Sequence, residues 1–218
     1  MSKCAACIVV IVAVVLWALP AAYAAECVES PSKVLQVCVQ VEDGAAFYDV
    51  SRRGKQILDK SRLGLQFAGE GQTKVALGGA SQRRSHDSTW EQPWGEERRI
   101  RDRHEELRVP LRGDTPNSAA FDVIVRVFDE GFGFRYDYHA IPVDRSVAIA
   151  EELTQFRFAD EYQAWWFEAY QKERDEYLYR RTPLTQVGTA ETPLTLEAAN
   201  LYVSIHEAAL VDYASMTL

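Results

Sequence analysis

The chain has 218 residues, of which 47% are hydrophobic and 26% charged. This length suits one domain with a substantial core, or at most two small ones, and the composition is that of a globular protein rather than a low-complexity one. Acidic residues outnumber basic ones by 32 to 24, the formal net charge is -8, and no Lys/Arg-rich stripe concentrates positive charge. The charge pattern therefore argues against nucleic acid as a partner.

Residues 1–24 have the pattern of a secretory signal peptide. Lys3 precedes an apolar run, Cys4–Leu19, and the small-residue sequence Ala22–Ala24 follows it. An uncleaved membrane anchor is the alternative, but the run is shorter than the roughly 20 residues that span a bilayer. We expect the segment to be cleaved, which leaves residues 25–218 as a secreted or periplasmic domain with no stable membrane anchor.

Cleavage would leave two cysteines, Cys27 and Cys38, on either side of a turn-like stretch. In a two-residue hairpin centred between Ser32 and Lys33, position 27 lies directly opposite position 38. Because disulfides persist outside the cytosol, we predict a bridge between Cys27 and Cys38; two free thiols are the alternative. The pair lacks the further Cys or His ligands of a zinc site.

Apolar and polar residues alternate through much of the chain, which predicts β-strands. The first hairpin joins Leu35–Val41 to Ala46–Val50 through a Glu42–Gly44 turn, and a second tight turn follows at Arg53–Lys55. Further strands are predicted at Gln56–Leu58, Gly64–Phe67, Lys74–Leu77, Glu106–Leu111, Phe121–Phe128, Phe132–Tyr138, Val147–Ala150, Thr154–Phe158, Leu194–Leu196 and Leu201–Ile205. About a dozen short strands separated by turn signals predict an all-β sandwich.

One segment, Glu161–Glu176, has a helical alternative. Its adjacent tryptophans and Tyr170 recur at near-helical spacing, and Glu168 and Lys172 form an i,i+4 pair. We predict a loop or a short helix there. The sequence has no internal repeat and no interior linker.

Glu207 is the acidic residue whose surroundings are most unusual. It follows the alternating strand Leu201–Ile205 and precedes small residues that cannot shield it. A carboxylate held at the end of a strand can bind a hard cation or orient a sugar hydroxyl, although a solvated acid is the alternative. Acidic runs elsewhere, such as Glu96-Glu97, are typical of solvated faces.

The sequence shows no catalytic constellation. It lacks G-x-S-x-G, the phosphate-binding loop motif and H-E-x-x-H. The four histidines, His86, His104, His139 and His206, are scattered and are interpreted as ordinary surface or partly buried rings. An epimerase-like His/Glu pair is disfavoured because His206 and Glu207 are adjacent and point to opposite sides of a strand. We assign no catalytic and no substrate-binding residue from the sequence.

Four tryptophans offer flat apolar faces against which sugar rings can stack. They are Trp90, Trp94, Trp165 and Trp166. Large aromatic side chains at such positions are more often core or interface residues. Both interpretations stay open at this point.

Several segments together resemble the N-terminal domain of family-97 glycoside hydrolases, the calcium-dependent α-glucosidases and α-galactosidases. The matching stretches are Ser30-Pro31, Arg62–Leu65, Thr89-Trp90 with Pro93–Glu96, Arg101-Asp102 with Glu106-Leu107, Asp129–Tyr136, Ala164–Trp166, Thr182–Leu184, Thr192–Thr195 and Ser204–Leu210. Each is weak alone, but their order and spacing make the resemblance specific. It covers essentially the whole chain after the signal peptide.

The resemblance implies a large β-sandwich of the galactose-mutarotase-like kind, which in the family precedes a catalytic (β/α)8 barrel that carries the catalytic carboxylates. The barrel is absent from this sequence, and the sequence stops where the family domain would still add strands, so we expect an incomplete sandwich that is inactive alone. The resemblance also implies that Glu207 joins barrel glutamates around a calcium ion.

Two functions follow from these observations. The leading hypothesis is an N-terminal domain of a glycoside hydrolase that braces the barrel and acts with it on α-glucoside or α-galactoside oligosaccharides. The alternative is a free-standing carbohydrate-binding module that uses its sandwich face and its tryptophans. Glu105, where the family often has Asn, and the Cys27/Cys38 pair depart from the family pattern and weaken any assignment of the substrate.

Overall fold

A computed structural model describes residues 25–69, 74–113, 120–139, 147–171, 177–211 and 213–218. The predicted signal peptide, residues 1–24, lies outside the described residues. In the described ranges the helical structure is limited to a 3-10 turn at Leu184–Gln186. None of the described helical structure is long and apolar enough to cross a membrane.

The described chain is otherwise built from β-strands. In chain order they are β1 (Glu26–Glu29), β2 (Leu35–Glu42), β3 (Ala45–Arg52), β4 (Lys55–Leu63), β5 (Leu65–Phe67), β6 (Val75–Leu77), β7 (Gln82–Glu91), β8 (Arg99–Gly113), β9 (Phe121–Val127), β10 (Phe132–Tyr138), β11 (Ile149–Glu152), β12 (Gln163–Trp166), β13 (Arg180–Pro183), β14 (Leu194–Ala198) and β15 (Leu201–Ile205). The all-β prediction is confirmed.

The first sheet is an antiparallel meander of β1, β2, β3 and β4 in sequence order. The predicted opposition of Cys27 and Cys38 is confirmed, since the two residues are direct partners between β1 and β2. The Ser30 N–H donates to the Leu35 carbonyl at 2.8 Å, so residues 31–34 form the loop. The connection is therefore longer than a two-residue turn. The predicted register of β1 and β2 is therefore confirmed, whereas the predicted two-residue turn is wrong.

The second sheet has the order β10-β9-β8-β6, with β7 also paired to β8. It packs face to face on the first sheet over a shared core, as the predicted sandwich requires. The core side chains occupy alternate positions, as in Val37 and Val39 of β2 and Val123 and Val125 of β9, each at most 2% exposed. The period of two in the sequence is thus the alternation between this core and the outer faces.

The remaining strands form two further sheets. A two-stranded sheet pairs β11 with β5. The last sheet has the order β13-β12-β14-β15, and we refer to it below as the four-stranded sheet, although the first sheet also has four strands. The four-stranded sheet has its own core, formed by Tyr162, Trp166, Leu194 and Leu196 with smaller residues. The domain therefore contains two cores, and the second one supports the strand that leads to Glu207.

The helical alternative for Glu161–Glu176 is wrong where that segment is described. Residues 163–166 form β12, in which Trp166 is 4% exposed and the adjacent Trp165 is 40% exposed. Adjacent tryptophans on opposite faces are what a strand produces, and the packing of Trp166 in the second core decides between strand and helix. Residues 172–176 lie outside the described part.

The sequence analysis missed β7 and the first half of β8. All ten residues of β7 are exposed, and β8 pairs with β9 only over Glu105–Leu111. From the His86–His104 pair to the Glu91–Arg99 pair the two strands form a free ribbon, which we call the β7–β8 ribbon. Because neither face of the ribbon packs on the core, its sequence has no apolar alternation to detect.

Two other strand predictions need correction. Residues 154–158 contribute only an isolated bridge, Leu58 with Phe158, although the backbone of Gln155 donates to the carbonyl of Arg62. The strand predicted at Val147–Ala150 lies two residues further on, as β11. In both places the boundaries of the strand depend on the partner with which it pairs, and the local alternation of the sequence does not determine them.

Candidate functional site

Glu207 lies two residues beyond the end of β15, the last strand of the four-stranded sheet. The strand is anchored by Ile205, which is 8% exposed and belongs to the inner face. Glu207 itself is half-buried, and its Oε1 accepts a hydrogen bond from the Met216 backbone N–H at 2.6 Å. The carboxylate is therefore fixed between the strand end and the C-terminal residues of the chain.

The surroundings of Glu207 are apolar and exposed. Leu210, Val211 and Tyr213 follow it in the chain and expose 50%, 76% and 46% of their surface. Large apolar side chains that remain this exposed in one short segment are uncommon on the surface of a folded domain. Glu207 thus directly precedes an exposed apolar segment of the chain.

The donor set at Glu207 fits one ligand position of a hard cation and no more. A carboxylate oxygen suits calcium, but calcium takes six to eight oxygens, whereas Glu207 has two and Oε1 already accepts from Met216. Within the described residues no group of three or more His, Cys, Asp or Glu side chains is arranged to hold a metal ion. Further ligands would therefore have to come from outside these residues.

The structure corrects the expectation that the four histidines are scattered, because His86 and His104 are direct partners between β7 and β8, whereas His139 and His206 lie in other elements. The Nδ1 of buried His104 donates to Asp102 at 2.5 Å, and its ring stacks on His86 with centroids 4.9 Å apart. His139 approaches Asp122 at 3.0 Å, and His206 Nδ1 donates to the Glu207 carbonyl at 2.9 Å. His86 and His104 thus share one cross-strand contact, in which both rings approach Asp102, while His139 and His206 each make a contact of their own.

The tryptophans divide between core and surface. Trp166 is buried, and its Nε1 donates to Thr182 at 3.0 Å. Trp90 and Trp94 lie on the β7–β8 ribbon and at its tip and are 49% and 80% exposed, while Trp165 is 40% exposed on the outer face of the four-stranded sheet. Three of the four therefore remain accessible to a ligand or a partner.

Cys27 and Cys38 form a disulfide, with a Sγ–Sγ distance of 2.08 Å and Cα atoms 4.0 Å apart. It links β1 to β2 at the edge of the first sheet. The bridge and Glu207 belong to different sheets, which share no strand. Its contribution is therefore to the stability of the first sheet.

Two polar clusters escaped the sequence analysis because they form across strands. Buried Asp122 accepts from Arg108 Nη1 at 2.5 Å on the outer face of the second sheet, and Arg108 Nη2 also donates to Asp137. Glu197 accepts from the Nε1 of Trp165 at 3.0 Å on the four-stranded sheet. Both clusters could have been found from the sequence only by predicting how these strands pair.

Comparisons with known proteins agree on one family. The family model described as Glycosyl-hydrolase 97 N-terminal matches residues 28–218. Over 148 residues the chain is 30% identical to a probable retaining alpha-galactosidase from Streptomyces bingchenggensis (strain BCW-1), a match that covers 68% of this chain and 22% of that protein.

Solved structures give the same result. The chain is 32% identical to a glycoside hydrolase family 97 enzyme from Pseudoalteromonas sp. strain K8, with TM-scores of 0.79 for a variant in complex with panose and 0.80 for the acarbose complex. These matches cover 88% of this chain and 30% of that enzyme. A beta-arabinopyranosidase structure is 25% identical, with a TM-score of 0.74 and coverage of 85% and 32%.

The chain thus spans less than a third of the length of each of these relatives. The match begins within β1 and continues through all the later sheets to the last residue of the chain. Both the fold and the sequence therefore place the described domain at the N-terminal part of these enzymes, and the chain belongs to the Glycosyl-hydrolase 97 N-terminal family.

Proposed function

We propose that this domain is the secreted or periplasmic N-terminal part of a glycoside hydrolase that acts on α-glucoside or α-galactoside oligosaccharides. In this role it braces a catalytic barrel and supplies Glu207 to a calcium ion beside the substrate. The family assignment, and relatives in complex with panose and acarbose, support the class of reaction and ligand. Hydrolysis itself would use two carboxylates of the barrel, one of them protonated.

The observation that carries the proposal is the setting of Glu207. Its carboxylate is held by Met216 just beyond the buried Ile205 at the end of β15, and the exposed apolar side chains of Leu210 and Val211 follow it in the chain. A carboxylate fixed in this way keeps one oxygen position available to a cation while the apolar surface contacts the next domain. When bound, calcium would stabilise negative charge near the scissile bond; the contribution of this chain is to hold and orient one ligand.

Export is supported by two independent features. Residues 1–24 have the signal-peptide pattern, and the disulfide between Cys27 and Cys38 is of the kind that persists outside the cytosol. Both features are expected of a domain that meets extracellular or periplasmic oligosaccharides.

A chimera tests the calcium role of Glu207. Residues 25–218 would replace the matching domain of the Pseudoalteromonas enzyme, and panose hydrolysis would be measured against calcium concentration. We expect activity that depends on calcium, and a requirement for about tenfold more calcium in the Glu207→Gln chimera because one charged ligand is lost. Glu96→Gln, which removes an exposed acid at the ribbon tip, is the matched control.

The isolated chain separates this role from a structural one. A glutamine Oε1 can still accept from the Met216 N–H, so Glu207→Gln should change the free energy of unfolding by no more than about 0.5 kcal/mol. A calcium response that is equal in the two chimeras, or a large loss of melting temperature in the isolated Glu207→Gln chain, would contradict the proposal.

A further inference from the structure

The outer face of the four-stranded sheet carries an ordered set of aromatic and polar side chains. Trp165 on β12 is the direct partner of Arg181 on β13 and of Thr195 on β14, which in turn faces Ser204 on β15. In the neighbouring row Glu197 on β14 faces Tyr202 on β15. These six residues form what we call the Trp165 face, which lies on the side of the sheet opposite the second core.

The Trp165 face has a rigid support. The intervening residues on the same strands, Ala164, Leu194 and Leu196, are at most 4% exposed and pack with Trp166 in the second core. Side chains that project from a sheet with a packed back are held at fixed spacing, here about 4.8 Å between strands. A surface of this kind loses little conformational freedom when it binds a ligand.

Glu197 connects the polar and aromatic groups of the face. Its Oε2 accepts from Trp165 Nε1 at 3.0 Å and from Arg181 Nη2 at 3.3 Å, and its Oε1 accepts from Tyr202 at 3.5 Å. The bond from Trp165, together with those from Arg181 and Tyr202, lowers the pKa of the Glu197 carboxyl. The carboxylate thus orients the two aromatic rings and stays ionised into the acidic range.

The rings remain open despite these contacts. Tyr202 is 67% exposed and Trp165 is 40% exposed, although the Arg181 guanidinium lies 5.6 Å from the centroid of the Trp165 ring. Tyr202 therefore offers the larger free ring surface. The side chain of Arg181, which is 48% exposed, keeps donors free toward solvent at the rim.

The composition of the face distinguishes between classes of ligand. Aromatic residues and Arg are common in protein interfaces, but Glu and Ser are depleted there, whereas Glu197 connects the rings of this face and Ser204 lies beside them. The remaining positions of the face are Gln163 and Pro183. Its two charged residues, Arg181 and Glu197, balance each other. A neutral ligand with many hydroxyl groups and a flat apolar ring face matches exposed aromatic rings beside Thr195, Ser204 and a fixed carboxylate.

We propose that the Trp165 face binds a neutral oligosaccharide of α-linked hexoses, at a site separate from Glu207. The apolar face of one sugar ring stacks on Tyr202, and hydroxyl groups contact Glu197, Arg181 and the Thr195/Ser204 pair. The class of sugar rests on the proposed function, whereas the site rests on the geometry of the sheet. The face holds substrate chains to the domain without taking part in hydrolysis.

The test is a calorimetric titration of the purified full chain with panose in the presence of a calcium chelator, so that the result is independent of the calcium proposal. We expect saturable binding, and a rise in Kd of about fivefold or more in Tyr202→Ala, because truncation of an aromatic contact residue commonly has an effect of this size. Trp94→Ala, which removes a tryptophan that is 80% exposed at the ribbon tip, should leave Kd unchanged.

Glu197→Gln provides a second variant, since it keeps the size of the side chain but weakens the bonds that orient Trp165 and Arg181, and it should also raise Kd. Absence of saturable binding by the wild-type chain would overturn the proposal while leaving the calcium chimera to be judged separately. Equal weakening by Trp94→Ala would overturn it in favour of the ribbon. Dissociation of a dimer by Tyr202→Ala, with no effect on panose binding, would overturn it in favour of a protein contact.

Discussion

Two dipeptides, Asp43-Gly44 and Arg53-Gly54, set the register of the first sheet. All four residues have positive φ, between 51° and 81°, which is the conformation of a two-residue type I′ turn. Asp and Gly adopt it at low cost, which made the first turn easy to predict, while Arg53 relies on Gly54 and on the flanking strands. Because a shift of one residue would reverse every side chain, these turns determine which valines reach the core.

The disulfide allows a prediction at the residue scale. Its two cysteines are 11 residues apart, and closing a loop of this length in the unfolded chain is worth about 3 kcal/mol. We expect the Cys27→Ala/Cys38→Ala double variant to melt roughly 6 to 12 °C lower than the wild type. Thermal unfolding followed by circular dichroism measures this change.

The matched control is the reducing agent itself. Dithiothreitol should lower the melting temperature of the wild type by a similar amount and leave that of the double variant unchanged. If the wild type does not respond while its thiols become titratable, the bridge does not contribute to stability.

At the scale of elements, the β7–β8 ribbon differs from the described hairpins that contribute side chains to a core, because all ten residues of β7 are exposed. No third strand pairs with its outer part among the residues that the structure describes, and two-stranded ribbons are only marginally stable in water. Pairs of charged residues across it, such as Asp87 with Arg101 at 2.7 Å, are exposed and contribute little to stability. The ribbon therefore depends on the base of β8 for its order.

Hydrogen exchange tests this view of the ribbon. Amides of β7 that bond to β8 beyond His86 should exchange at least about 100-fold faster than those of Val123 and Val125 in β9, because the ribbon can open without unfolding the core. Amide-resolved exchange by nuclear magnetic resonance measures both sets in one sample. Equal protection of the two sets would show that the ribbon opens only when the whole domain unfolds.

At the scale of the whole molecule, the first core is unusually rich in aromatic rings. Tyr48 packs against Phe132 and Phe134 from the other sheet, with ring centroids 6.1 and 5.4 Å away, and its hydroxyl donates to the Gln155 carbonyl at 2.8 Å. Tyr136 accepts from the Gly64 N–H at 2.9 Å. The aromatic residues therefore join the first two sheets to the segments that lead toward the second core.

These tyrosines should control the alkaline limit of stability. Burial raises the pKa of the Tyr48, Tyr136 and Tyr138 phenols well above the ordinary value of 10.0. The unfolded chain therefore releases these protons first, so the stability that the neutral phenols provide is complete below pH 10 and falls as the pH rises above it.

A spectroscopic titration checks this prediction. Phenolate absorbance should show a group of tyrosines that ionise only when circular dichroism reports unfolding, whereas all tyrosines of the chain in denaturant should ionise near pH 10. Ionisation of every tyrosine near pH 10 in a chain that keeps its native circular dichroism would contradict the assignment of these three phenols to the core.

The limits of sequence interpretation follow from where each residue packs. The hairpin of β9 and β10 was predictable because alternate residues face a core that lies on one side of the sheet. The β7–β8 ribbon was not, because it has no buried face, and β12 was mistaken for a loop or helix because its two tryptophans are assigned to opposite faces only by the second core. Glu207 was predicted at a strand end, and the structure places it there.

The sequence by itself determined the all-β class, the main hairpins, the opposition of Cys27 and Cys38, and the position of Glu207 after the last strand. Each of these depends on residues close together in the chain, where alternation and turn geometry act directly. The tertiary structure alone decided that the sheets enclose two cores and that Met216 holds the Glu207 carboxylate. It also decided that Trp165, Arg181, Glu197 and Tyr202 share one face, because strand order brings together side chains whose separation along the chain carries no periodic signal.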